Sequence, residues 1–253
     1  MKFALHMRSN DLEKSVHRGF GVEETWRNMV EDYSNLRLKE PKDRLLAIGG
    51  VAQQVQAARP GDRYLAGLWQ NSLHWDLLWG TREKASYIEG PTWSWASWCS
   101  ESGNLPVSFY LMFGSSVYKP CVEIVEATCR YENDNPFGKV RSGRIVLRGC
   151  LLDCLLIPSS DSGYQSSCEG QILRGLRWPN ATVHFTLPSE RHFLLEMGVE
   201  DRTTPESLRF YLVLHKLDEK ENIYDRRGLV ILFGGGKYEM LSKLGHITEC
   251  VIT

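Results

Sequence analysis

Apolar and polar positions change their period once along this chain, near Gly90-Pro91, and that change divides it. Ahead of the change the period is near four. Trp26, Met29, Val30 and Tyr33 recur at i, i+3, i+4 and i+7, which predicts an amphipathic helix over residues 23–36. Glu23 and Glu24 suit the positive end of its dipole. Pro41 sits at a first helical position, and Leu45, Leu46, Ile48, Val51, Ala52 and Val55 carry an apolar face on to residue 58. Within that second helix Gly49 and Gly50 each cost ~1 kcal/mol relative to alanine, so another element is expected to approach closely there. Arg59-Pro60-Gly61-Asp62 ends it, and Asp62 is placed to cap a segment over residues 63–69. Trp69, Trp75 and Trp79, with Leu65, Leu68, Leu73, Leu77 and Leu78, fall at spacings of three and four that predict a helix apolar nearly all round. Residues 1–22 mix charge and glycine without an apolar period and read as a loose leader.

Beyond Gly90-Pro91 the period is two. Trp93 and Trp95 alternate as in a strand, and further strands are predicted over residues 117–130, 143–157, 181–187, 192–197, 209–217, 228–233 and 247–252. Turn residues separate them, most densely at 133–138 and 159–163. The fold expected is α+β: a helical N-terminal half, residues 23–90, followed by an antiparallel β-rich sandwich or barrel-like half, residues 91–253, packed together as one unit.

Six of the eight tryptophans fall within residues 64–98. A tryptophan is a large apolar body with one N–H that needs a partner when buried, so the cluster reads in two ways. It is a core, or Trp93, Trp95 and Trp98 line a ligand pocket.

Charge narrows the partners. With 253 residues and a net charge of −1, no global field attracts nucleic acid or an acidic membrane. Lys139, Arg141, Arg144 and Arg148 lie on a predicted strand, where alternate residues face solvent, and Arg174 with Arg177 form a second small pair. Seven cysteines, at 99, 121, 129, 150, 154, 168 and 250, show no CxxC spacing and no zinc-module pattern, which predicts reduced thiols in a cytoplasmic protein without metal or cofactor. Cys150 and Cys154, on one strand, stand roughly 13 Å apart and are too distant to bridge. No run of about 18 apolar residues predicts a membrane span.

The candidate chemistry is sparse. His192 and Glu196, four apart on a strand, share a face, and a hairpin through residues 188–190 would bring His184 beside His192, a set suited to metal binding or acid–base work. Cys99 and Cys154, the latter beside Asp153, are the thiols placed for a Cys-His nucleophile pair, although a buried cysteine also behaves as a small hydrophobe. Gly234-Gly235-Gly236-Lys237 is like a phosphate loop, but Tyr238 stands where Ser or Thr is required, and a hairpin turn is expected.

The order of segments carries a resemblance. WRNMVEDYSNLRLKEPKDRLLAIGGVAQQV from Trp26 is followed by DRYLAGLWQNSLHWDLLW, GPTWSWASW, NPFGKV, RIVLRGCLL and RGLVIL. This succession resembles the region that follows the signature domain of fungal heterokaryon-incompatibility (HET) proteins, over residues 23–150 and more loosely beyond. The HET signature motifs themselves are not in this sequence. The resemblance implies a non-catalytic interaction or regulatory module that packs against an upstream HET-type domain or another protein. It also leads us to expect an exposed apolar patch near Trp26 and Tyr33 for docking. Its fungal setting gives the alternative: a cofactor-independent cyclase or isomerase of secondary metabolism, holding an apolar small molecule against Trp93, Trp95 and Trp98.

Overall fold

A computed structural model of the chain describes residues 21–81, 83–110, 117–159, 163–168, 171–173, 191–201, 207–218, 220–233 and 244–253, with 117, 154–159, 163–168, 171–173, 201 and 233 described by backbone alone. The expected leader apart from Gly21 and Val22, the strand over 181–187, the Arg174–Arg177 pair and Gly234–Lys237 lie outside the described residues.

Helix α1 (Val22–Ser34) buries Trp26, Val30 and Tyr33 on the face that their spacing defines. A 3-10 turn with Pro41 at its start leads into α2 (Arg44–Ala57), which buries Leu45, Ile48, Val51, Ala52 and Val55. Close approach is found at one glycine of the pair. A Cβ on Gly49 would collide with the Phe137 carbonyl oxygen, whereas one on Gly50 would meet nothing within 4 Å.

The helical reading fails after Ala57. In place of a helix over 63–69 and beyond, the chain forms a tight hairpin of β1 (Tyr64–Leu65) and β2 (Leu68–Trp69), then the four-residue α3 (Leu73–Asp76) and β3 (Trp79–Thr81). Two carboxylates explain the difference. Asp62 Oδ1 accepts from Arg63 N and Asn71 N, and Asp76 Oδ2 accepts from Trp69 N and Ser72 Oγ. Side-chain acceptors thus hold amides that a helix ladder would have used. Ala66 and Gly67 turn the hairpin at φ 48° and 96°. An added Cβ at Gly67 would stand 2.6 Å from Trp95 Nε1, so glycine is required there for space as well as conformation.

Trp93 and Trp95 also depart from strand geometry. Ser94 Oγ accepts from Ala96 N and caps a 3-10 turn over Trp95–Ser97. Short pairs follow: β4 (Ala85–Tyr87) with β5 (Trp98–Ser100), and β3 with β6 (Val107–Phe109).

Nine of the described strands form one sheet: β7 (Val117–Pro120), β8 (Glu123–Tyr131), β9 (Val140–Ser159), β10 (Gly163–Cys168), β11 (Gln171–Leu173), β12 (Arg191–Asp201), β13 (Leu208–Lys216), β14 (Ile223–Phe233) and β15 (His246–Ile252). The protein is therefore β-rich α+β. The pairings run in a ring, from β9 to β15, β14, β13, β12 and back to β9. An odd ring cannot alternate direction throughout. One neighbouring pair must be parallel, and it is β14–β15, at Ile223↔Val251 and Tyr224↔Ile252, which corrects the all-antiparallel expectation. A single apolar cluster joins Trp26, Ile48, Leu68 and Trp93 to Leu147, Leu195, Phe210 and Ile231, so helices and sheet share one core.

Candidate functional site

The tryptophans divide by burial. Trp26, Trp69, Trp93 and Trp95 are fully buried. Their indoles are held by backbone oxygens or rings: Trp26 Nε1 and Trp95 Nε1 both donate to Gly67 O, at 3.0 and 3.2 Å, and Trp26 meets Trp69 edge-on at 5.9 Å. Trp93 and Trp95 thus pack in the core and line no cleft. The apolar patch expected at Trp26 and Tyr33 is likewise not exposed. Trp26 packs under the β1–β2 hairpin, and Tyr33 sits against Trp95 with its hydroxyl donating to Arg44 O.

Trp98 alone of the three expected pocket residues borders an opening. A cleft of about 420 Å³ lies between Tyr87 and Trp98 on one side and Arg141, Leu217, Asp225 and Arg227 on the other. Cross-strand pairing of β4 and β5 sets Tyr87 opposite Trp98, with the rings edge-on at 5.7 Å. Tyr87 and Leu217 are half exposed, at 50% and 52%. Tyr87 Oη donates to Gly90 O at 2.8 Å, and burial, with Glu89 and Asp225 nearby, raises the phenol above its ordinary range, so it remains a donor at neutral pH. Asp225 pairs with Arg227 at 2.6 Å, which leaves the exposed Arg141 as the cation at the rim whose charge is least offset.

The candidate acid–base residues lie elsewhere. His192 and Glu196 are both buried on β12. Glu196 Oε1 accepts from Arg209 Nη1 at 2.5 Å, and burial followed by the Glu196 charge raises both the Tyr211 hydroxyl and the Cys150 thiol. A carboxylate committed to a buried guanidinium is a structural ion pair before it is a base. His192 faces other partners: its register neighbour on β9 is Cys154, and its ring lies 6.3 Å from that of His215 on β13. His215 Nδ1 in turn stands 3.3 Å from Asp225 Oδ1. The structure therefore brings Cys154 and His192 into register, and ties Glu196 to Arg209. His184 lies outside the described residues. Cys99 sits on β5, with its sulfur 3.6 Å from Arg44 Nη2.

His215, Asp225, Arg209 and Tyr211 were not singled out by sequence reasoning. Only the strand register brings them to His192 and Glu196, and the residue types in the predicted strand over 209–217 were the one available signal. The basic positions on β9 are neutralised across strands: Arg144 pairs with Glu126 at 3.0 Å, and Arg148 bridges Glu123 at 2.9 Å and Glu249. Among the described residues, no three His, Cys, Asp or Glu side chains already stand together as a metal-binding group, and no helix is long and apolar enough to cross a membrane. No family model matches this chain, and no curated protein or solved structure matches it.

Proposed function

We propose that this chain is a non-catalytic interaction module, of the kind that the heterokaryon-incompatibility resemblance implies, and that the cleft beside Trp98 is its recognition surface. The observation that carries this reading is the division among the aromatics. Trp93 and Trp95 are spent on the core, while Tyr87 and Leu217 stand half exposed at the rim of a cleft that also presents Arg141. Exposed apolar groups beside an uncompensated cation suit a protein segment with an apolar or aromatic side chain next to a carboxylate. The alternative, a cofactor-independent cyclase or isomerase, has less support because two of its three pocket residues line no cleft.

Selection of random peptides on the intact protein tests the proposal. A consensus with an aromatic residue beside Asp or Glu is expected, and its affinity should fall roughly tenfold or more in Tyr87→Ala and in Arg141→Glu. Failure to enrich a consensus, or one indifferent to both substitutions, overturns it.

A further inference from the structure

One row of the sheet carries ligand-type residues that no motif spacing in the sequence reveals. Cys154 on β9 is the register partner of His192 on β12. Phe193↔Leu214 fixes the β12–β13 register, and at the next position His192 and His215 have ring centroids 6.3 Å apart. His215 is the register partner of Asp225 on β14. Register partners share a face of a sheet. A cysteine, two histidines and an aspartate therefore follow one another across four neighbouring strands, although 71 positions separate Cys154 from Asp225 in sequence (225 − 154).

We propose that Cys154, His192 and His215 form a binding site for Zn²⁺, with Asp225 as the residue that orients His215. Thiolate and imidazole together select a borderline-soft cation over Mg²⁺ or Ca²⁺. Three neighbouring strands place the outer positions of such a row roughly 10 Å apart, and imidazoles, the longer ligand arms, occupy two of the three. An ion bound between the rings needs only ~2 Å to each nitrogen, which a centroid separation of 6.3 Å accommodates. Asp225 supplies the outer contact that zinc-binding histidines commonly have. With Nδ1–H directed at the carboxylate 3.3 Å away, His215 offers Nε2 as its ligand atom, and Arg227 holds Asp225 from the other side at 2.6 Å. His192 is 2% exposed, as befits a closed structural site rather than an open catalytic one.

The position gives the ion a task. Pairing of β9 with β12 is confined to Leu151–Leu155 against Arg191–Leu195, and Cys154↔His192 lies within that short seam, where the ring of strands closes. A cation shared by β9, β12 and β13 clamps the seam.

Cobalt, then zinc, titrated into the full chain under a non-thiol reductant tests the site. One equivalent of Co²⁺ should produce a thiolate-to-cobalt charge-transfer band, and Zn²⁺ should displace it. Zinc should also raise the thermal midpoint of the wild type. The band should vanish in Cys154→Ser, and affinity should fall roughly 10–100-fold in Asp225→Asn. His246→Ala, an exposed histidine on β15, should leave the titration unchanged. Absence of the band at one equivalent, or a band that survives Cys154→Ser, overturns the proposal. Should a His192 or His215 variant fail to fold, the near-isosteric Cys154→Ser decides alone.

Discussion

The carbonyl oxygen of Gly67 accepts from two indoles, so loss of either ring removes both apolar volume and one claim on the same acceptor. Trp95→Ala is expected to cost ~3–5 kcal/mol, read as a fall in the urea midpoint, and a variant as stable as the wild type would refute the core assignment. Buried charges make a second contrast. Asp76 accepts from Trp69 N, Ser72 Oγ and Arg27 Nη1, the last at 2.9 Å. Arg27→Met leaves that carboxylate stranded and should cost ~3–5 kcal/mol. Arg226 is buried against the Trp79 ring, 3.7 Å from its centroid, and donates to Trp79 O. Burial pulls its pKa down to about 9, which still leaves it charged at neutral pH. No carboxylate depends on it among its described contacts, so Arg226→Met should fall within ~1 kcal/mol of wild type in the same measurement. At this scale the sequence was legible for burial and silent on partners: a Trp-rich run announces a core, but the oxygen that Trp26 needs lies 41 residues away.

Helices α1 and α2 were legible because their apolar residues obey one period and because Pro41 marks a start. Their paired glycines yield an opposed prediction. Gly50→Ala, with open space at its Cβ, should stabilise by ~0.5–1 kcal/mol, while Gly49→Ala, driven against the Phe137 carbonyl, should destabilise by ~1–3 kcal/mol. Equal shifts in the two denaturation midpoints would show that the α2–Phe137 contact is not tight. Residues 64–98 were misread because their apolar spacing suits a helix, whereas Asp62 and Asp76 bind the amides first. Strand β14 begins at Ile223, five positions before the expected 228, since the charges of Asp225, Arg226 and Arg227 interrupt the alternation. Those charges are satisfied by each other and by Trp79, which only the folded chain reveals.

At the scale of the whole molecule, alternation gave strands but not their order. The ring depends on the β9–β12 seam and on bulges at Glu196/Gly198 and Val213/Leu214, each of which shifts the register without a mark in the apolar pattern. This is why the shared face of His192 and Glu196 was legible while His215, Asp225 and Arg209 were not. The common core also sets an alkaline limit. Burial raises the Cys250 thiol, only partly opposed by Lys216, from 9.0 to about 12. The unfolded chain therefore loses this proton first: the contribution is complete below pH 9 and is lost as pH rises through about 12. Urea midpoints should decline above pH 9, and more gently in Cys250→Ala; identical slopes would assign the decline to other groups. Gly67 has a further consequence, for the order of assembly. Its two donors arrive from 41 residues before it and 28 residues after it, so two long loops must close before the hairpin is rewarded. The first half of the chain should therefore gain its protection from hydrogen exchange in one late kinetic step, with no early helical intermediate.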